Sequence, residues 1–326
     1  MPRLSVIVVN YNSAGRLARC LGHLARQTFA DFETIVVDNA SADDSIAQAK
    51  AISPSATYIM SEKNLGFAAA NNLAAKSAAG EALVFLNPDA YAEAEWLAEL
   101  VAASERYPWA DAFGSTQVNA ADPSKIDGAG DVFHILGVAY RGHFGWPIEE
   151  LPSEGECFSV CAAAAMYRKR AFDALGGFDE RFFCYGEDVD LGFRLRLVGG
   201  RAVQVRKARV AHEGSGVTGR HSDFTVYYGH RNRIWAAYKN LPAVLYWAGL
   251  PFRLALDVAL LVRAIAGGYA APYLKALRDG YFRAGLLRED RNRIQDGRMI
   301  GAGALSSQLT WSLLKLLARA ADIRPI

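Results

Sequence analysis

The feature that most constrains this chain is the regular alternation, over its first 106 residues, of short apolar runs with helix-like segments. Residues 4–9 form an unbroken β-branched run, which is typical of a buried parallel strand. The pattern predicts further strands at 33–37, 56–60 and 82–86, and helices at 13–27 (capped by Ser13), 45–51, 66–79 and 93–106. This β-α-β order predicts an α/β fold with a mostly parallel sheet and right-handed crossovers.

Polar residues follow each predicted strand. They occupy positions 10–12, 38–43, 64–72 and 87–89. Because ligands of parallel sheets lie beyond the carboxyl ends of the strands, we expect these four clusters to meet at one rim and form a binding site.

The middle of the chain is less regular. Residues 120–156 are rich in glycine, which predicts a long functional loop. Beyond it, the sequence predicts a strand at 160–167, helices at 170–175 and 188–198, and extended chain at 202–205 and 208–211.

Two carboxylates follow predicted strands directly. Asp38 can accept two hydrogen bonds from a ribose or a base edge, although Asp, Asn and Ser at 38–43 are also ordinary turn residues. Asp89, beside Asn87, can hold a divalent cation that bridges a diphosphate, although Asn-Pro-Asp is also good turn sequence.

The second half contains a further acidic cluster and a histidine. Glu187, Asp188 and Asp190 begin a predicted helix after an aromatic run, so they either cap the helix or include a general base. His212 is either structural or a further metal or phosphate ligand. Residues 214–219 match GxGxxG formally, but the segment lies late in the chain and lacks the acidic residue of a dinucleotide site.

Charge and cysteine content exclude several classes of protein. A formal net charge of +2 gives no field suited to nucleic acid, so we expect no nucleic-acid partner. Four cysteines do not make a disulfide framework, and zinc is not expected because Cys157 and Cys161 lack a second ligand pair. The N-terminus lacks a signal-peptide cleavage site, so we expect the chain to start in the cytoplasm.

The C-terminal region differs from the rest. Residues 241–326 carry 12 Lys and Arg against 6 Asp and Glu, and the longest uncharged run, 299–314, is too short and polar to span a bilayer. Polar residues from Gln308 to Asp322 are spaced 4, 3, 4, 3, which predicts an amphipathic helix lying in a membrane surface. A helix packed on the protein itself is the alternative.

Taken together, the motifs resemble those of the family 2 glycosyltransferases with the GT-A fold, and among them a rhamnosyltransferase-like bacterial branch. The resemblance covers about the first 240 residues in order. The matching segments are SVIVVNYN (5–12), VVDNASADDS (36–45), NLGFAAANN (64–72), FLNPDA (85–90), LGGFDERFFCYGEDVDLGFRLRLVGG (175–200), VAHEGSG (210–216) and HRNRIWAAYKNLP (230–242).

The resemblance implies a GT-A, Rossmann-like nucleotide-binding sheet in residues 1–115, an acceptor-binding and catalytic half in 116–240, and a C-terminal helical, membrane-associating region in 241–326. It also implies roles for individual positions. Asp188 would be the catalytic base, with Glu187, Phe183 and Trp146 binding the acceptor, Asp89 and His212 binding Mg²⁺ or Mn²⁺, and Val9, Tyr11, Asp38, Asn64, Gly66, Asn71 and Asn87 binding the nucleotide. Asn87 stands where many relatives have an acid, so we expect weaker metal binding.

The expected activity is an inverting transfer of a sugar, with rhamnose from dTDP-rhamnose as the first candidate, from a nucleotide-diphospho-sugar to a lipid-linked or cell-envelope saccharide. Alternatives are a UDP-hexose or another donor, and a catalytically inactive nucleotide-binding scaffold at the membrane. A Rossmann oxidoreductase is disfavoured because the glycine fingerprint is missing after the first strand. We expect peripheral attachment to the anionic cytoplasmic face of the inner membrane; a homo-oligomer is compatible with this.

Overall fold

A computed structural model describes residues 1–214 and 222–326 of the chain. Within these residues ten strands form one sheet, in the order β10-β12-β6-β11-β4-β1-β2-β3, with β5 pairing to β12 and β7 to β6, and β8 and β9 form a separate hairpin. The strands are β1 (Leu4–Asn10), β2 (Phe32–Asp38), β3 (Thr57–Met60), β4 (Ala82–Leu86), β5 (Ala90–Ala92), β6 (Ala112–Asn119), β7 (Ile126–Gly128), β8 (Asp131–His134), β9 (Val138–Arg141), β10 (Gly155–Cys157), β11 (Ala164–Arg168) and β12 (Ala202–His212).

Helices cover both faces of this sheet. They are α1 (Gly15–Leu24), α2 (Ser45–Ile52), α3 (Gly66–Ser77), α4 (Trp96–Arg106), α5 (Lys169–Ala174), α6 (Glu187–Leu197), α7 (Asp223–Asn240), α8 (Ala243–Ala266), α9 (Ala270–Phe282), α10 (Arg288–Asp296), α11 (Ala302–Ser306) and α12 (Leu313–Ala318). Short 3₁₀ turns occur at Ile148–Glu150, Glu180–Phe182 and Ala284–Leu287.

The four predicted N-terminal strands are confirmed as a parallel block. β1 pairs in parallel with β2 and β4, and β2 pairs in parallel with β3. Because successive side chains of a strand point to opposite faces, Val6 and Val8 enter the core beneath α1 and α4, whereas Ile7 and Val9 enter the core beneath α3. The predicted cap at Ser13 is wrong, since α1 begins after Ala14 without a side-chain cap.

The prediction of a mostly parallel sheet is wrong for the second half of the chain. β11 runs antiparallel to both β4 and β6, while β12 runs parallel to β6 and antiparallel to β5 and β10. The sheet is therefore mixed. The expected division at residue 115 falls inside β6, so one sheet carries strands of both predicted halves.

The expected irregular loop at 120–156 is also wrong. It contains β7, the β8–β9 hairpin, a 3₁₀ turn and β10. Its glycines serve this compact arrangement: Gly142, for example, approaches the backbone of Ala129 so closely that a Cβ would lie 2.7 Å from its carbonyl oxygen. Glycine content here marks tight packing of short strands rather than absence of structure.

The C-terminal region packs against the middle of the chain. Leu305 and Leu309 share a core with Phe133 and Phe193, and residue 324 pairs with Glu156 of β10. The predicted helix over 308–322 is wrong, because α12 covers only Leu313–Ala318 and ends at Arg319 in the left-handed region. Among the described residues, no helix is long and apolar enough to cross a membrane.

Candidate active site

A cavity of about 640 Å³ opens at the carboxyl ends of β1, β2 and β4, large enough for a nucleotide-sized ligand. All four predicted polar clusters reach it, through Tyr11, Asn39, Asn64 and Asn87. The structure thus brings together residues that lie far apart in sequence. The predicted site residues that line the cavity are Val9, Tyr11, Asn64, Gly66, Asn87, Asp89, Phe183, Glu187, Asp188 and His212.

Asp38 does not line the cavity but braces its wall. Its carboxylate accepts a hydrogen bond of 2.9 Å from the side chain of Asn10 and one of 3.2 Å from the backbone of Ser41. The carboxylate is buried and holds the turn after β2. Its predicted contact with base or ribose stays a prediction.

Asn39, the buried neighbour of Asp38, lines the cavity instead. Its amide donates to the carbonyl of Gly66 at 3.1 Å and accepts from the backbone of Leu65 at 3.3 Å, so it ties the end of β2 to the start of α3. The only signal for it in the sequence was its place beside Asp38.

Two further predicted site residues lie away from the cavity. Asn71 is buried in α3, where its amide donates to the carbonyl of Phe67 within the same helix. Trp146 stacks on His143 with ring centroids 4.2 Å apart and donates its indole N–H to the carbonyl of Ala318. Each side chain thus has a structural partner, and their predicted contacts with the nucleotide and the acceptor stay predictions.

The first turn of α3 and the loop before α6 meet at a glycine. Gly66 has φ of +80°, and a Cβ added there would lie 2.5 Å from the ring of Phe183 and 2.6 Å from its carbonyl oxygen. That carbonyl accepts hydrogen bonds from the backbone N–H groups of Phe67 (2.7 Å) and Ala68 (3.2 Å). Glycine is therefore required both by the backbone angle and by the close approach.

The same loop is held from the other side by α7. Phe183 and Tyr185 both have positive φ, of 65° and 70°, which few residues other than glycine adopt without cost. The buried amide of Asn232 donates to the carbonyls of Phe182, Cys184 and Tyr185 at 2.9, 2.9 and 2.6 Å. This bonding fixes the chain that leads directly into Glu187 and Asp188.

Glu187 and Asp188 open α6 and line the cavity, where Glu187 is buried and Asp188 half-buried. Burial, followed by the charge of Asp188, raises the pKa of Glu187 well above its ordinary value. Burial also raises the pKa of Asp188, but the backbone N–H groups of Ala162 and Val189 and the charge of Arg141 oppose this. Glu187 is therefore the group that keeps its proton more strongly, and Asp188 the one that ionises first and can accept a proton.

Asp190, the third acid of this cluster, has a different function. It forms ion pairs with Arg194 at 2.8 Å and Lys239 at 2.9 Å, and it also accepts a hydrogen bond from Asn240. It points into the protein interior and pins α6 to α7. The first turn of α6 thus has more acids than a helix cap needs because Asp190 is structural, whereas Glu187 and Asp188 face the cavity.

Two residues not identified from the sequence lie beside Asp188. Ligand atoms of Asp131, Cys161 and Asp188 lie within 4.8 Å of one another. Burial and the charge of Asp188 raise the pKa of Asp131 well above its ordinary value, and burial raises the pKa of the Cys161 thiol. Because a thiol must lose its proton to bind a metal, this group is better suited to proton chemistry than to a cation.

The predicted metal ligands, Asp89 and His212, also line the cavity and lie next to each other. His212, at the end of β12, has its Nε2 3.4 Å from Oδ1 of Asp89 and its Nδ1 2.7 Å from Oδ2 of Asp127. Burial opposes protonation of His212, but its hydrogen bond to Asp127 and the charge of the neighbouring Asp89 raise its pKa overall. Asp127 was not identified from the sequence; it lies in the segment expected to be a loop.

The GxGxxG segment at 214–219 lies outside the described residues after Gly214. Its predicted irrelevance to dinucleotide binding stays a prediction.

Known proteins are similar to about two thirds of this chain. Residues 5–176 match the family described as Glycosyl transferase family 2. The O-antigen biosynthesis protein RfbC of Myxococcus xanthus is 33% identical over 227 residues; the match covers 66% of this chain and only 17% of that protein. The N-acetylglucosaminyl-diphospho-decaprenol L-rhamnosyltransferase of Mycobacterium tuberculosis is 30% identical over 240 residues, covering 67% of this chain and 78% of that enzyme.

Solved structures share the fold at lower identity. GalNAc-T7, crystallised with UDP, GalNAc and Mn²⁺, has a TM-score of 0.59 at 17% identity, over 73% of this chain and 48% of that one. The mannosyltransferase PcManGT from Pyrobaculum calidifontis, in complex with GDP-Man and Mn²⁺, has a TM-score of 0.54 at 19% identity, over 90% of this chain and 85% of that one. These likenesses show an α/β fold of the glycosyltransferase type with a mixed central sheet.

Proposed function

The chain belongs to glycosyl transferase family 2 and is a glycosyltransferase, and from this premise we propose that it is an inverting enzyme that transfers L-rhamnose from dTDP-rhamnose to a lipid-linked saccharide. The Mycobacterium relative supports both the sugar and the lipid-diphosphate type of acceptor through its name. A UDP-hexose or another donor remains the alternative, and so does an inactive scaffold.

One observation carries the enzymatic proposal. A single cavity contains a base candidate, Asp188, and a cation-binding pair, Asp89 and His212, contributed by different parts of the chain. A scaffold that only bound a nucleotide would need neither a half-buried, ionisable carboxylate nor an acceptor space beside it. The strand-end residues Tyr11 and Asn64 form the side of the cavity at which the nucleotide would bind.

The proposed reaction is one displacement at the anomeric carbon. An acceptor hydroxyl oxygen forms a bond to that carbon while the bond from the carbon to the diphosphate oxygen breaks, and the nucleoside diphosphate leaves with the electron pair. The Asp188 carboxylate takes the hydroxyl proton, which requires it to be ionised. Burial and the charge of Asp188 raise the pKa of Glu187 and so favour its protonated form, which can donate a hydrogen bond to another acceptor hydroxyl.

The donor set fits a divalent cation. Nε2 of His212 is buried and has no hydrogen-bond partner among the described residues, and a carboxylate oxygen of Asp89 lies beside it. Imidazole nitrogen and carboxylate oxygen are ligands for Mn²⁺, and carboxylate oxygen suits Mg²⁺ as well. When bound, such a cation offsets the charge of the departing diphosphate.

The test of the activity is release of nucleoside diphosphate from a panel of dTDP-, UDP- and GDP-sugars, with a polyprenyl-diphospho-saccharide as acceptor. We expect release with dTDP-rhamnose that depends on the acceptor and on Asp188. Preferred release from a UDP-hexose supports the alternative donor. Binding without acceptor-dependent release from any donor supports the scaffold.

The metal dependence has its own test. We expect Asp89→Ala to weaken donor binding and to remove its dependence on Mg²⁺ or Mn²⁺ in calorimetry. Asn87 lines the same cavity, so Asn87→Asp should tighten cation binding by adding a carboxylate. Equal donor affinity with and without a chelator in the unsubstituted enzyme contradicts the proposal.

We also propose that the enzyme is held on the cytoplasmic face of the inner membrane, through α8 rather than through the predicted helix at 308–322. The side of α8 that faces the protein carries Tyr246, Arg253, Asp257 and Ala264, all buried. The opposite side is apolar and 45–64% exposed at Val244, Trp247, Leu254, Val258, Val262 and Ile265. An apolar face of this extent, on a region with net positive charge, suits an anionic lipid surface.

Co-sedimentation with vesicles tests this attachment. Val258→Glu/Val262→Glu should lose binding to phosphatidylglycerol vesicles, because two carboxylates interrupt the apolar face. The matched control is Ile52→Glu/Met60→Glu, which adds the same charge at side chains that are 50% and 54% exposed on the nucleotide-binding half. Equal binding by both variants argues against α8 as the membrane contact, and loss of a dimer in the first variant identifies an oligomer interface instead.

A further inference from the structure

The wall of the cavity behind His212 contains a carboxylate that no motif of the chain predicts. Asp127 of β7 is buried, and its Oδ2 lies 2.7 Å from Nδ1 of His212. A carboxylate can only accept a hydrogen bond, so in this contact Nδ1 carries the proton. For a neutral ring, Nε2 is then the atom with the free lone pair, and this is the atom that faces Asp89 at 3.4 Å.

Asp127 is in turn held by the guanidinium of an arginine. Arg141 of β9 donates to the same carboxylate oxygen and also lies 3.3 Å from the side-chain oxygen of Gln117 in β6. Arg141 thus keeps the carboxylate in place beside the histidine.

We propose that Asp127, held by Arg141, is a positioning residue that fixes the ring and tautomer of His212, so that Nε2 and Asp89 together bind the divalent cation of the donor site. The inference deepens the proposed function and rests on it for the purpose of the cation. Asp127 touches neither substrate nor cation and acts through His212. Partners of this kind behind a ligating histidine typically change metal affinity by about 10–100-fold when they are replaced.

The test is the dissociation constant of Mn²⁺, measured by electron paramagnetic resonance with the full chain, with Mn²⁺ alone and with added dTDP or UDP. Asp127→Asn keeps the shape of the side chain, but its amide can donate to Nδ1 and so favours the wrong tautomer. We expect Mn²⁺ to bind about 10–100-fold more weakly to this variant. Turnover should recover at high Mn²⁺, which loss of structure would not allow.

Asp131→Asn is the matched control. Asp131 is another buried carboxyl of the same segment that lines the cavity, but it lies beside Asp188 and Cys161 instead of His212. We expect its substitution to leave the Mn²⁺ dissociation constant unchanged. Weakening by Asp131→Asn with no change in Asp127→Asn places the cation at the other acidic group and overturns the inference.

A double-mutant cycle separates positioning from general stabilisation. In a His212→Ala background, Asp127→Asn should weaken Mn²⁺ binding no further, because its effect passes through the ring. Additive losses overturn the inference, as does absence of Mn²⁺ binding to the unsubstituted enzyme. If Asp127→Asn does not fold, as judged by circular dichroism, Asp127→Ser is measured in its place. Because these are binding measurements without acceptor, they can succeed even when no transferase activity is found.

Discussion

Gly66 offers the sharpest test of how the site is built. Its substitution by alanine has two costs, a steric clash and a left-handed backbone, whereas the same substitution at a second glycine, Gly199, has only the backbone cost. In Gly66→Ala the new Cβ would lie 2.5 Å from the Phe183 ring, where ordinary contact begins at 3.4 Å, so ring or backbone must move by about 1 Å. Overpacking of this kind costs about 1–3 kcal/mol. The left-handed backbone costs alanine about 1–2 kcal/mol more.

The matched control is Gly199→Ala. Gly199 has φ of +81°, close to the +80° of Gly66, but nothing lies within 4 Å of its added Cβ. It should therefore cost only the backbone part, about 1–2 kcal/mol, whereas Gly66→Ala should cost about 2–5 kcal/mol. Equilibrium unfolding in urea, followed by tryptophan fluorescence, measures both free energies of unfolding.

The two variants should also differ in catalysis. Glu187 and Asp188 lie four and five residues after Phe183, so displacement of the Phe183 backbone moves the base candidate. A misplacement of about 1 Å costs about 10²-fold in rate, and we expect a loss of this size for Gly66→Ala and none for Gly199→Ala. Equal free energies of unfolding and equal turnover in the two variants refute the reasoning, since the close approach to Phe183 would then have no cost.

Three further predictions concern the loop and the acids. Asp188→Asn should lower turnover by about 10²–10⁴-fold while nucleotide affinity stays nearly unchanged, and wild-type turnover in a folded variant excludes this base. Glu187→Gln should raise the melting temperature at pH 8 but not near pH 4: the raised pKa means that the folded wild type binds the proton more tightly, so its stability falls as pH rises through this range. A constant difference across pH contradicts the raised pKa. Asn232→Ala should cost about 1–3 kcal/mol in urea unfolding for each of the Cys184 and Tyr185 carbonyls that lose this donor, and should lower turnover more than donor affinity. The Phe182 carbonyl keeps its hydrogen bonds from Arg231 and Cys184. Unchanged turnover would show that α7 does not position the base.

The sequence by itself was sufficient for the parallel block of strands and for the rim at which their ends meet. Hydrophobic runs such as Leu4–Asn10 and the polar residues behind them are local patterns, and a parallel sheet brings its strand ends to one edge whatever their separation in sequence. The motifs around Asp89, Asp188 and His212 were also local enough to be recognised, and the structure places all three in one cavity.

Only the tertiary structure decided which polar residues face that cavity. Asp38 and Asn39 are neighbours of similar chemistry, yet one braces the turn and the other lines the cavity, because the direction of each side chain depends on partners such as Asn10 and Gly66. Asp127 could be identified as a partner of His212 only from the tertiary structure, in which β7 and β12 lie on either side of β6. In the C-terminal region, the periodicity from Gln308 to Asp322 suggested one helix, but backbone hydrogen bonds with Phe133 and His143 divide this segment. Sequence patterns record which side chains share a face of one element; the pairing of distant elements depends on packing and hydrogen bonds that no single segment contains.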